Sequence, residues 1–365
     1  MLQSELDVWV RFRPSDHTAA AGAASEATAT SPDSAISRTI SAFLASISAF
    51  PEDAPIWQSW LEHFKTDCFT TFLNGSNTEC AARLNDPQST LLHYGFDEIC
   101  EQRPDLRHGI SHIIHSPDWI YDLLRRIGEA VGVLRLEYPE LMPGTPDATP
   151  STEDILLLLD QAFGFRIDFP NPLPGETGLA TSRGVASFRA VQSLFQAWKI
   201  DRYLRGKQKR RVAEIGGGLG RTAYYAHRFG FDSYYIVDIP LTSVAQANYL
   251  SRILPQDALT LFNEPAGGNL HILPPPAFFE LDPELDLIVN FDGLTEQPEV
   301  SAAQYWNHAK SRRIDFLSVN HEVNPVTFRN FYTRDREELG DVTIARSPYW
   351  LRRGYLEESV LFHAA

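Results

Sequence analysis

The run Val212 to Thr222 holds residue types that serve a ligand better than a core. Glu214, Gly216, Gly218 and Gly220 form the pattern E-x-G-x-G-x-G between an apolar stretch and the helical run TAYYAHRF. Glycine lets the chain turn sharply and brings backbone against a ligand with no Cβ in the way. The helix start that follows offers unpaired N–H groups. Register narrows the ligand. A dinucleotide loop GxGxxG counted from Gly216 needs glycine where Arg221 stands, and counted from Gly217 needs it where Leu219 stands. The Gly-Lys-Ser/Thr ending of a phosphate loop is also absent. An acid in the strand before the turn suits a ligand with a cationic amino group and no phosphate.

S-adenosylmethionine is such a ligand, and other residues suit it. Asp238 ends the next strand, where an acid can accept hydrogen bonds from ribose hydroxyls. Its competing role is to cap the helix after Pro240. Asn290 and Asp292 flank Phe291 at the end of a later strand, so both are expected to point toward the crevice, Asn290 as a cofactor contact. His321 follows the strand after that; histidine titrates near neutral pH and can take a proton from a hydroxyl. The candidate bases are therefore His321 and Glu296, with Asp292 third. A divalent metal that lowers a hydroxyl pKa is a second route, with Asp292, Glu296 and Glu322 as oxygen donors, but the site is expected to hold none.

The elements that must position these residues follow from hydrophobic period. After Gly206, strands alternate with helices: Val212–Gly216, Tyr234–Ile239, Leu270–Pro274, Leu285–Phe291, Ile314–Asn320, Asp341–Arg346 and Glu357–Ala364. That alternation implies a parallel sheet with crossover helices. The gap SPYWLRRGYL between the last two strands is short for a crossover, so that pair is expected to be antiparallel. Before Gly206 the patterns are mostly helical. Ile40, Phe43, Leu44 and Ile47 share one stripe, and Trp57, Trp60, Leu61 and Phe64 another. Ser116-Pro117-Asp118 opens a helix, and Ser151 or Thr152 caps EDILLLLDQAF. A Pro- and Gly-rich loop, FPNPLPGETGLATSRG, leads to a last helix whose stripe Phe188, Val191, Phe195 and Trp198 reads as packing. Three parts result: a flexible tail over 1–34, a mainly helical domain over 35–206, and the α/β ligand-binding domain over 207–365.

Composition bounds the rest. With 365 residues and 43% hydrophobic content the chain has material for two domains and a real core. A net charge of −15 disfavours nucleic acid and anionic membrane, which need clustered Lys and Arg. The basic run Lys207 to Arg211 is short and suits a helix end. Cys68, Cys80 and Cys100 are odd in number and widely spaced, which points to a reducing compartment; with no signal-peptide core, the expected location is the cytoplasm.

The chain resembles the bacterial sugar O-methyltransferases. Four segments carry this: LATSRGVASFRAVQSLFQAWKI (179–200), AEIGGGLGRTAYYA, YYIVDIPLTSVAQANYLS, and DLIVNFDGLTEQ followed by FLSVNHE. Together they cover roughly the last half. One departure is Gln297, where members usually carry methionine after the glutamate. The resemblance implies a Rossmann-like class I methyltransferase domain with a seven-stranded, mostly parallel sheet and an antiparallel last strand. It implies S-adenosylmethionine as cofactor and a small-molecule acceptor, a sugar or glycoside, with homo-oligomerisation open. Through the turn Thr181-Ser182-Arg183-Gly184 it also implies Arg183 as part of the cleft. Alternatives are methyl transfer to oxygen or nitrogen of a non-sugar natural product, and a protein that binds the cofactor without turnover.

Overall fold

The structure is a computed structural model that describes residues 19–21, 32–49, 66–87, 90, 92–93, 97, 116–135 and 150–363. The stripe from Trp57 to Phe64 lies outside the described residues.

The N-terminal half is helical where it is described: α1 (Pro32–Ser48), α2 (Thr66–Asn74), α3 (Asn77–Asn85), α4 (Pro117–Val131) and α5 (Thr152–Phe163). Side chains set their ends. Ser116 accepts the Trp119 N–H ahead of a proline at the first helical turn, and Gly132 closes α4 in the left-handed region. Ser151, not Thr152, caps α5 and exchanges bonds with Asp154. Two expectations change here. Within the segment read as a tail, Ala19–Ala21 form strand β1, and α1 begins inside it at Pro32. The Pro- and Gly-rich loop contains a hairpin of β2 (Thr177–Thr181) and β3 (Gly184–Ala186), and β1 pairs with β2. Low complexity favours disorder only while no neighbour offers a free strand edge; β2 offers one. Helix α6 (Phe188–Tyr203) follows.

The remaining strands build one sheet: β4 (Arg211–Ile215), β5 (Ser233–Val237), β6 (Leu259–Leu261), β7 (Leu270–Leu273), β8 (Leu287–Phe291), β9 (Asp315–His321), β10 (Val342–Pro348) and β11 (Tyr355–Phe362). Their order is β10-β11-β9-β8-β4-β5-β7-β6. All seven expected strands are present, and β6 is an additional short edge. Only β11 runs against its neighbours, β9 and β10. The crossovers are α7 (Arg221–Arg228), α8 (Pro240–Ile253), α9 (Pro275–Leu281), α10 (Glu299–Arg312) and α11 (Phe328–Arg334). From β4 the chain builds outward through β5 to β7, then returns to the other side for β8 and β9. The order therefore reverses between β4 and β8, which opens a crevice at the carboxyl ends of those strands.

Central strands are buried on both faces, which is why they read as apolar runs. One core cluster lies around Trp306, Phe316, Phe328 and Phe331. The other is continuous from Ile36 and Phe43 of α1 through Val191 and Leu194 of α6 to Val244 and Leu250 of α8. Arg38 adds an ion pair to Glu264 at 2.6 Å and a bond to the Leu259 carbonyl. The N-terminal helices therefore share their core with the sheet domain. Among the described residues no helix is long and apolar enough to cross a membrane.

Candidate functional site

The glycine loop leaves β4 through Glu214. Gly216, Gly218 and Gly220 have φ of 71°, 56° and 85°, the region that disfavours any side chain. A Cβ on Gly217 would lie 2.6 Å from Ile236 Cγ2. Gly220 holds the turn into α7, while Gly216, Gly217 and Gly218 line a cavity of about 1700 Å³. Glu214 also lines it. Its carboxyl is fully buried and accepts the Tyr234 hydroxyl at 2.9 Å. Burial pushes its pKa up to about 8; the nearby charge of Asp238 pushes the same way, and the Tyr234 and Thr222 hydroxyls oppose it.

Asp238 follows β5 and faces the same cavity. Its two oxygens accept from the Ile239 N–H at 2.8 Å and from Gln246 Nε2 at 2.7 Å. The Gln246 amide also donates to the Gly218 carbonyl at 3.0 Å, so it fastens the acid to the glycine loop. Sequence reading missed Gln246. Its one signal was a polar residue two turns into a helix that is otherwise packed.

The ends of β8 and β9 bring Asp292, Glu296 and His321 together. Nε2 of His321 lies 3.7 Å from Glu296 Oε1 and 4.0 Å from Asp292 Oδ1. Tyr355 donates its hydroxyl to Asp292 at 2.7 Å, and Arg352 pairs with the other Asp292 oxygen while stacking on the Tyr355 ring. Nδ1 of His321 accepts the Val323 N–H at 3.3 Å, so the neutral imidazole carries its proton on Nε2, facing the two carboxylates. Partial burial raises the Glu296 pKa, the Asp292 charge raises it further, and His321 and Arg352 hold it back. Ligand atoms of Asp292, Glu296 and His321 lie within 4.8 Å of one another, the spacing a cation would need. Glu322, the other oxygen donor considered, is turned away to Arg346 at 2.8 Å.

Two expected site residues stand elsewhere. Asn290 does not share Asp292's direction. Asp292 has a φ of 81°, which breaks the strand alternation that the expectation relied on. Asn290 is fully buried, donates to the Ile215 carbonyl at 2.6 Å, and accepts from the Leu294 N–H and from Asn320. It ties β8 to the glycine loop and to β9 from behind the cavity wall. Arg183 is occupied too: its Nη1 donates to both oxygens of Asp160 at 2.7 Å and to the Ile167 carbonyl. It anchors the β2–β3 turn to α5. Arg221 is the converse case. Noted only for breaking the dinucleotide register, it lines the cavity and is buried between Asp97 and Glu176 at 3.1 and 2.8 Å.

No family model matches the chain, and no curated protein does. Solved structures do. The glycopeptide N-methyltransferase MtfA with sinefungin aligns at a TM-score of 0.35 and 13% identity, over 47% of this chain and 94% of that one. The plantazolicin methyltransferase BamL aligns at 0.35 and 11%, over 47% and 85%. The ribosomal protein L11 methylase of Lactobacillus delbrueckii subsp. bulgaricus aligns at 0.31 and 15%, over 48% and 79%. The sheet order, with its reversal between β4 and β8 and its one antiparallel strand, shows the fold by itself. This is a Rossmann-like fold. In it, Glu214, Asp238, Asp292, Glu296 and His321 open onto one cavity, with α6 as a further wall.

Proposed function

We propose that the chain is an S-adenosylmethionine-dependent O-methyltransferase acting on a hydroxyl of a sugar or glycosylated metabolite. The observation that carries this is the convergence on one cavity of the glycine loop, Asp238 and the Glu296–His321–Asp292 cluster. The residues fit the cofactor. The loop presents bare backbone to the cavity, since Ile236 leaves no room for a Cβ at Gly217, and Asp238 offers a carboxylate at the strand tip that suits ribose hydroxyls. Glu214 and the glycine loop would hold its amino-acid side.

When bound, S-adenosylmethionine supplies a methyl group activated by its sulfonium. The protein adds alignment and a destination for a proton, because an alcohol is a poor nucleophile near neutral pH. Glu296 takes that proton. Burial and the Asp292 charge make its carboxylate more basic than an ordinary one, and its half-exposed side chain reaches the cavity. His321, the first candidate from sequence, carries its proton toward the carboxylates and so positions Glu296 instead of competing with it. Arg352 and Tyr355 hold Asp292 in place.

The volume favours a glycoside over a free monosaccharide. A drug-sized ligand occupies roughly 300–1,000 Å³, so about 1700 Å³ accommodates the cofactor and an acceptor of comparable size. The cytoplasm is the proposed compartment, in keeping with the free, buried Cys68 and Cys80, and the acidic charge argues against nucleic acid as acceptor. The test is incubation with S-adenosylmethionine and a panel of glycosides, their aglycones and free sugars. S-adenosylhomocysteine should form, with one methyl group appearing on a sugar oxygen. Methylation confined to the aglycone or to nitrogen would overturn the sugar assignment.

A further inference from the structure

Side-chain amides in this fold differ in how many of their ends the protein itself uses. Asn290 donates to the Ile215 carbonyl and accepts from the Leu294 N–H. Asn171 donates to Glu176 and to the Val185 carbonyl, and accepts from the Val185 N–H. Gln297 and Asn324 spend only the donor end. Gln297 Nε2 donates to the Gly293 carbonyl at 3.1 Å, and Asn324 Nδ2 donates to the Thr295 carbonyl at 2.9 Å. Neither amide oxygen accepts a hydrogen bond from a described residue, and neither is sealed from solvent. Both residues line the cavity beside Glu296: Gln297 follows it in the chain, and Asn324 is bonded to the carbonyl of the residue before it. An amide that donates to a fixed loop carbonyl is held in one orientation, so its oxygen is set in place before a ligand arrives.

We propose that Gln297 and Asn324 recognise hydroxyls next to the one that is methylated, which makes the acceptor a vicinal diol or polyol instead of an isolated alcohol. The proposal rests on the O-methyltransferase reading above, with Glu296 as base. A hydroxyl both donates and accepts, and an amide oxygen takes the donor half. The reacting hydroxyl must sit against Glu296, so amides fastened beside Glu296 meet the neighbouring ring positions. An isolated alcohol or phenol leaves both amide oxygens to water. A ring with hydroxyls on adjacent carbons satisfies them and is aligned by them in the same step. Gln297 is also where the chain departs from the sequences it resembles, so nothing in that resemblance requires an amide there.

The test measures kcat/KM of the intact chain for a glycoside that it methylates and for the deoxy analogues that each lack one hydroxyl next to the methylated position. Wild type, Gln297→Met and Asn324→Leu are compared. With wild type, each deoxy analogue should react about tenfold more slowly or worse, the scale of a hydrogen bond left unmade. Each variant should lose about tenfold on the parent glycoside, yet treat the parent and one deoxy analogue alike, because the partner of that hydroxyl is already gone. S-adenosylhomocysteine should bind each variant within about a factor of two of wild type, which reports an intact cofactor side. A wild type that does not discriminate against the deoxy analogues, or variants that keep the wild-type discrimination, would overturn the diol site while leaving the methyltransferase reading in place. A wild type that transfers no methyl group to any sugar oxygen removes both.

Discussion

Glu214 is a carboxyl in a place that penalises its charge. Its pKa of about 8 in the folded chain lies above the ordinary 4.5. Between those values the folded state holds a proton that the unfolded state has released. Glu214 therefore lowers stability progressively as pH rises from about 4.5 to about 8, and adds no further pH dependence above that. A cationic ligand favours the ionised form, so S-adenosylmethionine binding below pH 8 should expel a proton. Titrations in two buffers of different ionisation enthalpy measure this directly. Glu214→Gln should abolish the proton release and flatten the fall in melting temperature over that window; a wild type that exchanges no proton would remove Glu214 from the cofactor site. The neighbouring question of the base has its own profile. Turnover should rise with pH through an ionisation above the ordinary carboxylate range and then level off. Glu296→Gln should cost roughly 10²–10⁴-fold in kcat and erase that limb. His321 holds the Glu296 pKa down, so His321→Gln should keep the limb and move it to higher pH. Erasure of the limb by the histidine substitution would transfer the role to His321.

At the scale of elements, the parts read well from sequence are those whose burial leaves a pattern. Apolar runs between glycine- and proline-marked turns located the seven strands because the sheet is covered on both faces, and Ser151 and Ser116 announced their helices through capping chemistry. Strand β6 escaped because three residues carry no period. Asn290 and Arg183 were misplaced for different reasons. The Asn290 expectation extended strand alternation past Phe291, where Asp292 turns left-handed. The Arg183 ion pair reaches Asp160 in another element, and no local pattern encodes that. The Arg183–Asp160 ion pair has a measurable consequence. Its side chain is 4% exposed and that of Asp160 17%, so Arg183→Leu leaves a mostly buried carboxylate without its partner. Destabilisation of roughly 2 kcal/mol or more is expected, below the full buried-pair range because Asp160 keeps some solvent. Affinity for S-adenosylhomocysteine should not change; a selective loss of affinity would return Arg183 to the cleft.

For the whole molecule, the reversal of strand order between β4 and β8 creates the crevice, and the N-terminal helices close its side through α6 and a shared core. The proposed cofactor residues come from β4 and the end of β5, and the proposed proton-handling residues from the ends of β8 and β9, which the sheet places side by side. The proposed chemistry depends first on the cofactor. Calorimetric titration with S-adenosylhomocysteine, on wild type and Asp238→Ala in parallel, addresses that dependence. Micromolar-range binding, weakened by about 1.5 kcal/mol or more in the variant as for hydrogen bonds to a charged acceptor, is the expected outcome. Failure of the wild type to bind would remove the cofactor from the mechanism.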